Sequence, residues 1–341
     1  MFTSWLLFAF LALCLQQALG APVVSPNGSA TRRGISKRSI AGPKIQGKNF
    51  PDPTIIYVDK WYAFATRTIG SGIRIQIATS DDFETWDLVY NADGTQRDAL
   101  PNLPDWVLQT SPNTWAPDVN ILDDGTFVLY YSASVASDTS KHCVGAATSD
   151  NILGPYSPQA EPLFCPLDQG GAIDPAGFYD NGQRYVVYKV DGNSLGHGGA
   201  CQNTVEPLVA TPLILQPVSA DGLTAQGAAT TLLNHQGLSD DGILEAPALV
   251  KSGSTYVLFF SSGCFTTEHY NVDYATSSSI TGPYTRTSTP LIESGTGDLS
   301  APGGADVTRD GLKLVLHANN NGGRSLYTAT IQISGTTVAL T

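Results

Sequence analysis

The chain has 341 residues, of which 42% are hydrophobic and 14% are charged, and its formal net charge is −12. This length accommodates one large all-β domain. The acidic balance argues against nucleic acid and anionic membranes as partners and suits a neutral ligand. No apolar run after the N-terminal segment approaches 18 residues, so we expect no membrane-spanning segment in the mature protein.

The first 38 residues have the pattern of segments that are removed during secretion. Residues 1–20 contain the apolar run Trp5–Leu13 followed by Ala18-Leu19-Gly20, which is typical of a signal peptide. Residues 21–38 are polar and end in Lys37-Arg38, which indicates a propeptide, with an uncleaved arm as the alternative. Residues 1–38 hold four basic and no acidic residues, so cleavage takes the formal charge from −12 to −16. We therefore expect a secreted, extracellular protein whose mature domain is 39–341.

An acidic residue recurs five times just before an apolar strand, next to small residues or proline. The segments are Phe50-Pro51-Asp52-Pro53, Trp115-Ala116-Pro117-Asp118, Ile173-Asp174-Pro175, Leu244-Glu245-Ala246-Pro247 and Gly303-Gly304-Ala305-Asp306. Such a recurrence is the mark of a repeat architecture. If the acids occupy the same position in each unit, they meet around one central cavity.

Each acidic corner leads into a pair of strands joined by a turn. Asp123-Asp124-Gly125 and Asp180-Asn181-Gly182 are two such turns between β-branched and aromatic runs, which is a strong hairpin signal. Ala-Thr-Ser ends a later strand at 78–80, 147–149 and 275–277, whereas the third unit is irregular here. The sequence therefore predicts an all-β fold, a five-bladed β-propeller.

Four cysteines remain after residue 38, an even number that indicates two disulfides in a secreted protein. Three connectivities are possible. We favour Cys143–Cys165 and Cys201–Cys264, because Cys201 and Cys264 follow equivalent strands of neighbouring units.

The acidic segments of the first four units resemble family 43 glycoside hydrolases over about residues 44–341. The resemblance implies a five-bladed propeller and inverting hydrolysis of arabinofuranosides or β-xylosides. By position, Asp52 resembles the general base, Asp174 the residue that modulates the pKa of the acid, and Glu245 the general acid. Two departures are Ala246, where the family usually has glycine, and Gly304, where many members have histidine. For Asp118 and Asp306, a structural role at the strand starts is the alternative.

Other residues are candidates for the same site. Trp115, Phe50, Asp118 and Phe265 are candidate substrate contacts, since flat aromatic rings cover the apolar faces of sugars. Core packing is an equally good interpretation for Trp115 and Phe50. His317 resembles the axial histidine that holds a calcium ion or a water in many family members, with a hydrogen-bonded core histidine as the alternative. His197 lies in a glycine-rich loop and is interpreted as a loop residue.

These observations favour a secreted glycoside hydrolase that releases arabinofuranose from plant polysaccharides, of the α-L-arabinofuranosidase or arabinanase type. A β-xylosidase on the same scaffold and a catalytically silent carbohydrate-binding propeller are the alternatives. We expect a monomer that requires no cofactor, with a structural calcium ion in the central channel as an open possibility. We expect no nucleic-acid or membrane partner.

Overall fold

The computed structural model describes residues 39–341, so the predicted signal peptide and propeptide lie outside the described residues. The described chain is almost entirely strand, turn and loop. It begins with the short strand β1 (Ile40–Ala41). Its helices are single turns of 3₁₀ type at Ile45–Gly47, Leu167–Gln169, Gly192–Leu195, Ala200–Gln202, Gly237–Asp240 and Thr296–Asp298. Among the described residues, no helix is long and apolar enough to cross a membrane.

The strands form five antiparallel sheets in sequence order, which are the five blades of a propeller. Blade 1 contains β2 (Thr54–Tyr57), β3 (Trp61–Thr66), β4 (Ile75–Ser80) and β5 (Asp87–Leu88). Blade 2 contains β6 (Trp115–Ile121), β7 (Phe127–Ser134), β8 (His142–Ser149) and β9 (Ser157–Pro158). Blade 3 contains β10 (Ala172–Asp180), β11 (Gln183–Val190), β12 (Leu213–Val218) and β13 (Thr230–Leu233). Blade 4 contains β14 (Leu244–Ser252), β15 (Thr255–Ser262), β16 (Asn271–Ser277) and β17 (Thr285–Arg286).

Blade 5 is completed by both ends of the described chain. It contains β18 (Gly303–Val307), β19 (Lys313–Asn320) and β20 (Gly323–Ser334). The outer edge of β20 pairs with β1 through Ala329 and Thr328, and further along with β21 (Thr337–Leu340). The first strand of the described chain therefore closes the ring on the last blade. The predicted five-bladed β-propeller is confirmed.

The core consists of five hydrophobic clusters, and each cluster fills the space between two neighbouring blades. Strand β7 illustrates why the sequence of a central strand is apolar at every position instead of alternating with polar residues. Leu129 and Tyr131 pack in the cluster shared with blade 1, whereas Val128 and Tyr130 pack in the cluster shared with blade 3. Successive side chains of a strand point to opposite faces, and both faces of a blade are buried. A central strand must therefore be apolar throughout.

Both predicted disulfides are present. Cys143 of β8 bonds Cys165 in the loop that follows blade 2, and Cys201 in the long loop of blade 3 bonds Cys264 after β15. That loop, residues 191–212, accounts for the irregular third unit of the sequence, because it separates β11 from β12. His197 lies exposed in it, and its Nδ1 contacts the carbonyl oxygen of Pro207, as expected for a loop residue.

Candidate active site

The five acidic corners lie at the start of the innermost strands β2, β6, β10, β14 and β18. Each corner contains one residue in the left-handed backbone region, with φ between 40° and 56°: Asp52, Ala116, Asp174, Ala246 and Gly304. In blades 2 to 5 the strand pairing is interrupted by a bulge at this residue. These five residues are therefore the equivalent positions of the repeat.

The expectation that the five acids share one position is wrong. Asp52 and Asp174 occupy the left-handed position, Glu245 precedes it by one residue, and Asp118 and Asp306 follow it by two. A strand advances by about 3.3 Å per residue, so Asp118 and Asp306 lie deeper in the channel. Four of the acids line a cavity of about 40 Å³ on the propeller axis, but they belong to two separate hydrogen-bonded groups.

Asp52 is held as a carboxylate by donors from blades 1 and 5. Its Oδ2 accepts a hydrogen bond from the Thr66 hydroxyl at 2.6 Å, and its Oδ1 contacts Nη1 of Arg324 at 3.0 Å. Burial alone would raise the pKa of Asp52, but the positive charge of Arg324 and the hydrogen bonds lower it below the usual value of 3.8. Asp52 is therefore ionised at neutral and mildly acidic pH.

Asp174 has the opposite environment. Its Oδ2 accepts the backbone N–H of Ala246 at 2.9 Å, which ties it to the residue that follows Glu245. Burial raises the pKa of Asp174 to about 8, and the negative charge of Glu245 contributes to the increase. Asp174 therefore holds a proton at neutral pH.

Glu245 is in contact with a buried lysine. Its Oε2 lies 3.0 Å from Nζ of Lys189, and the same ammonium lies 3.3 Å from Oδ1 of Asp191. The Glu245 side chain is 12% exposed, whereas that of Lys189 is 1% exposed. Sequence analysis missed Lys189, Asp191 and Arg324. Lys189 could have been noticed in the sequence, because it stands within the apolar run of β11. A cation that is buried in this way requires carboxylate partners.

The deeper pair, Asp118 and Asp306, is bridged by a single hydroxyl. Thr54 Oγ1 lies 2.7 Å from Oδ1 of Asp118 and 2.9 Å from Oδ2 of Asp306. A hydroxyl has one hydrogen to donate, so one of the two contacts must be donated by a protonated carboxyl group. Burial and the charge of Asp118 raise the pKa of Asp306 to about 7, and burial also raises the pKa of Asp118, so the pair retains a proton below about pH 7.

The remaining bonds of Asp118 do not favour its predicted role as a substrate contact. Its Oδ2 accepts hydrogen bonds from the side chain of Asn120 and the backbone N–H of Gly177, both at 2.6 Å. With Thr54 on Oδ1, both of its oxygens are engaged by the protein. This agrees with the structural alternative for Asp118.

The predicted aromatic contacts have three different outcomes. The prediction that Phe50 contacts substrate is wrong, because its side chain is fully buried in the cluster between blades 5 and 1. Trp115 is partly exposed and stacks on His142, with ring centroids 3.9 Å apart. Phe265 is 41% exposed and lies 5.0 Å from the guanidinium of Arg324, which contacts Asp52. Substrate contacts by Trp115 and Phe265 stay predictions.

The glycines at 303 and 304 make room for two rings. A Cβ on Gly303 would lie 2.0 Å from the Tyr270 ring, and one on Gly304 would lie 2.6 Å from the His317 ring. Tyr270 and His317 stack with centroids 5.8 Å apart, and both are buried. At Gly304, where the sequence departs from the family pattern, the space that a side chain would enter is therefore occupied by the His317 ring.

His317 is held in place by the backbone of Asp52. Its Nδ1 accepts the backbone N–H of Asp52 at 3.0 Å, and burial lowers its pKa to about 3, so the ring is neutral. Nδ1 also lies 3.3 Å from Oδ1 of Asp52, but the shorter bond from the Asp52 N–H assigns the single ring proton to Nε2, which is buried without a hydrogen-bond partner among residues 39–341. An N–H group donates to an oxygen and does not ligate a cation. The described part of the chain also holds no group of three or more His, Cys, Asp or Glu residues that could bind a metal.

Comparison with known proteins identifies the family. The sequence profile of glycosyl hydrolases family 43 matches residues 42–335. The chain is similar to an extracellular endo-α-(1→5)-L-arabinanase of Thermotoga petrophila (28% identity, 68% of this chain and 50% of the relative). It is also similar to a xylan 1,3-β-xylosidase of a Vibrio species (31% identity, 72% of this chain and 42% of the relative).

Solved structures share the fold. A thermostable family-43 glycoside hydrolase superposes with a TM-score of 0.69 at 21% identity, over 85% of this chain and 92% of the other. The chain spans about half the length, or less, of the two curated relatives named above. The profile covers most of the sequence, and the five blades and their acidic corners agree with it; the chain therefore belongs to glycosyl hydrolase family 43.

Proposed function

We propose that the protein is a secreted glycoside hydrolase that cleaves arabinose-containing plant polysaccharides with inversion, of the arabinanase or α-L-arabinofuranosidase type. One observation carries the proposal. The acidic corners supply an ionised carboxylate, Asp52, and a pair of carboxyls, Asp174 and Glu245, that retains a proton. Glycoside hydrolysis by inversion requires one carboxylate base and one carboxylic acid.

Asp52 acts as the base. It removes a proton from a water molecule as the water oxygen attacks the anomeric carbon of the sugar. Arg324 and Thr66 keep the carboxylate ionised and fix its orientation, because each contacts a different oxygen of Asp52. A positioned base of this kind contributes about 10²- to 10⁴-fold to the rate.

Glu245 delivers the proton to the departing oxygen as the glycosidic bond breaks. In the resting site the raised pKa of Asp174, whose carboxyl is bonded to the backbone beside Glu245, keeps a proton on the pair. Glu245 receives this proton before or during bond cleavage. After cleavage Asp52 carries one added proton and the pair has lost one, so exchange with solvent restores the starting state.

The relatives support the substrate class. The Thermotoga relative is named as an endo-arabinanase and the Vibrio relative as a xylan β-xylosidase. Arabinan or arabinose side chains are therefore the first substrates we propose, and β-xylosides are the second. The extracellular designation of the Thermotoga relative supports secretion. We further propose that a water accepts a hydrogen bond from His317 Nε2.

The test is product release by the purified 39–341 protein. The substrates are aryl α-L-arabinofuranoside, aryl β-D-xyloside, debranched arabinan and arabinoxylan, each compared with Glu245→Gln. We expect release of arabinose or arabino-oligosaccharides, and a fall of 10²-fold or more in the variant on natural substrates. ¹H NMR of the first-formed anomer would show inversion. Full activity in Glu245→Gln, or retention of configuration, would overturn the mechanism.

Silence on every substrate would overturn the proposed activity. Arabino-oligosaccharide binding without cleavage, measured by calorimetry, would then support the silent sugar-binding propeller.

A further inference from the structure

Lys189 is the least expected residue of the site. It lies near the end of β11, and it is among the largest fully buried side chains of the described chain. Burial of an ammonium group is costly unless carboxylates compensate it. Burial acts to lower the pKa of Lys189, but the charges of Glu245, Asp191 and Asp174 raise it overall. The ammonium is therefore charged at every pH at which the protein works.

The two contacts of Lys189 have different characters. Asp191 is the first residue after β11 and lies two residues after Lys189 in the sequence. It is buried, so this pair belongs to blade 3 alone. Glu245 comes from β14 of blade 4 and is largely buried at the channel end that holds Asp52 and Asp174. One partner anchors the ammonium, and the other is the proposed proton donor.

The charge count of the cluster shows what Lys189 does to the proton. Lys189 and Asp191 cancel, which leaves Asp174 and Glu245 with one shared proton and one negative charge. Without Lys189 the buried cluster would carry one more negative charge, and protonation of the pair would become easier. Without the charge of Asp191, Lys189 would act on the pair alone, and the proton would leave more readily.

Other titratable groups around this contact do not supply an alternative cation. His142 of β8 is neutral above about pH 4, because burial and the charge of Lys189 lower its pKa to about 4. Burial raises the pKa of Tyr270 well above its usual value, so its hydroxyl is also neutral. Asp52 adds a negative charge to the surroundings of Asp174, and Arg324 is engaged with Asp52. Lys189 is thus the cation that faces the pair.

We propose that Lys189, anchored by Asp191, is a positioning residue that holds the Glu245 carboxyl and sets the pH range over which Asp174 and Glu245 together retain one proton. This inference rests on the proposed function for its consequence in catalysis, but the ionisation that it describes exists in the free protein. It predicts opposite effects for the two partners of the Lys189–Asp191 pair, whereas a role in folding alone predicts loss of stability from both and a shift from neither.

The first experiment measures the pH profile of kcat/KM on arabino-oligosaccharide for three variants. In Lys189→Gln we expect the alkaline limb to move up by about one pH unit or more, and in Asp191→Asn to move down. Lys189→Arg keeps the charge, and its limb should remain within about half a unit of the wild type. A dinitrophenyl glycoside, whose leaving group needs no proton, should be affected least by Lys189→Gln.

The second experiment does not require activity. The chain contains six glutamates, so protein labelled with ¹³C at the glutamate carboxyl gives a simple spectrum: Glu84, Glu161, Glu206, Glu245, Glu268 and Glu293. The Glu245 signal is assigned by its loss in Glu245→Gln. We expect the pH midpoint of this signal to move up in Lys189→Gln and down in Asp191→Asn. Cooperative thermal melting establishes that each variant is folded. If Lys189→Gln does not fold, the direction of the midpoint shift in Asp191→Asn tests the proposal by itself.

The outcomes separate the two proposals. The wild-type protein could cleave no substrate while the two variants shift the NMR midpoint of Glu245 in the expected directions. That result would support the role of Lys189 and overturn the proposed function. An active wild-type protein whose variants show unmoved midpoints and unmoved limbs would overturn the role of Lys189. Shifts of both variants in the same direction would also overturn it.

Discussion

Arg324 is expected to determine the lowest pH at which the enzyme works. Its guanidinium is the positive charge nearest to Asp52, and the ionised form of Asp52 is the active base in the proposed mechanism. Because Arg324 lowers the pKa of Asp52, its removal should raise that pKa. Activity is lost as the pH falls through the pKa of the base, so Arg324→Gln should lose activity at a higher pH than the wild type.

The size of the shift follows from the geometry. The atoms Nη1 and Oδ1 are 3.0 Å apart, and the side chains of Arg324 and Asp52 are 24% and 18% exposed. Two unit charges at this distance attract by about 5 kcal/mol at an effective dielectric constant of about 20. Water at the open end of the site weakens this attraction, and a carboxyl beside an arginine typically shifts by one to three pK units. We therefore expect the acidic limb to rise by about two pH units.

The assay is kcat/KM on aryl α-L-arabinofuranoside between pH 3 and pH 8. Arg324→Lys keeps the positive charge and should hold the limb within about one unit of the wild type. Arg309→Gln is the matched control for net charge, because Arg309 lies at the other mouth of the channel, in a cavity of about 510 Å³. It should leave the limb unmoved. A folded Arg324→Gln protein with an unmoved acidic limb would refute the assignment of Arg324 and Asp52.

Three further predictions concern the rest of the propeller. Phe50→Ala should cost about 3–5 kcal/mol in urea unfolding, because it empties a fully buried site, while the folded protein keeps its kcat/KM; a large change in KM with little loss of stability would restore Phe50 as a substrate contact. Since the folded pKa of Asp306 is raised from 3.8 to about 7, its contribution to stability is full below about pH 4 and is lost as the pH rises through about 7. Unfolding free energies should fall over this range by about 2–4 kcal/mol more in the wild type than in Asp306→Asn; parallel pH profiles would contradict this. Replacing Cys201 and Cys264 by alanine should cost about 4 kcal/mol, and replacing Cys143 and Cys165 about 3, because the first bond closes a loop of 63 residues and the second one of 22; equal or inverted losses on thermal unfolding would count against this entropic argument.

The architecture could be predicted from sequence because its signals are local. Turns such as Asp180-Asn181-Gly182 fix the hairpin between β10 and β11, and the recurrence of the acidic corners counts the blades. The alignment of the acids could not be predicted in the same way. Relative to the left-handed residue of each corner, the acids lie between one residue before it and two residues after it. An offset of this size along a strand decides which layer of the channel a side chain enters.

The partners of the acids were also out of reach for a physical reason. Lys189, Arg324 and Thr66 contact carboxyls that are 14 to 272 residues away in sequence, and no spacing rule connects them. Phe50 was assigned to the sugar site because it stands beside Asp52. The backbone reverses into the left-handed region at Asp52, so neighbouring side chains leave the axis and Phe50 packs between blades.

The closure of the ring also assembles the surroundings of the proposed base. Asp52 is synthesised early, but its two partners on blade 5, His317 and Arg324, are synthesised last. They lie beside Asp52 in the closed ring, in which β20 pairs with β1 across nearly the whole length of the chain. A propeller that lacks its last blade keeps Thr66 as a hydrogen-bond donor to Asp52 but loses Arg324 and His317, so loss of blade 5 should weaken the proposed base as well as the fold.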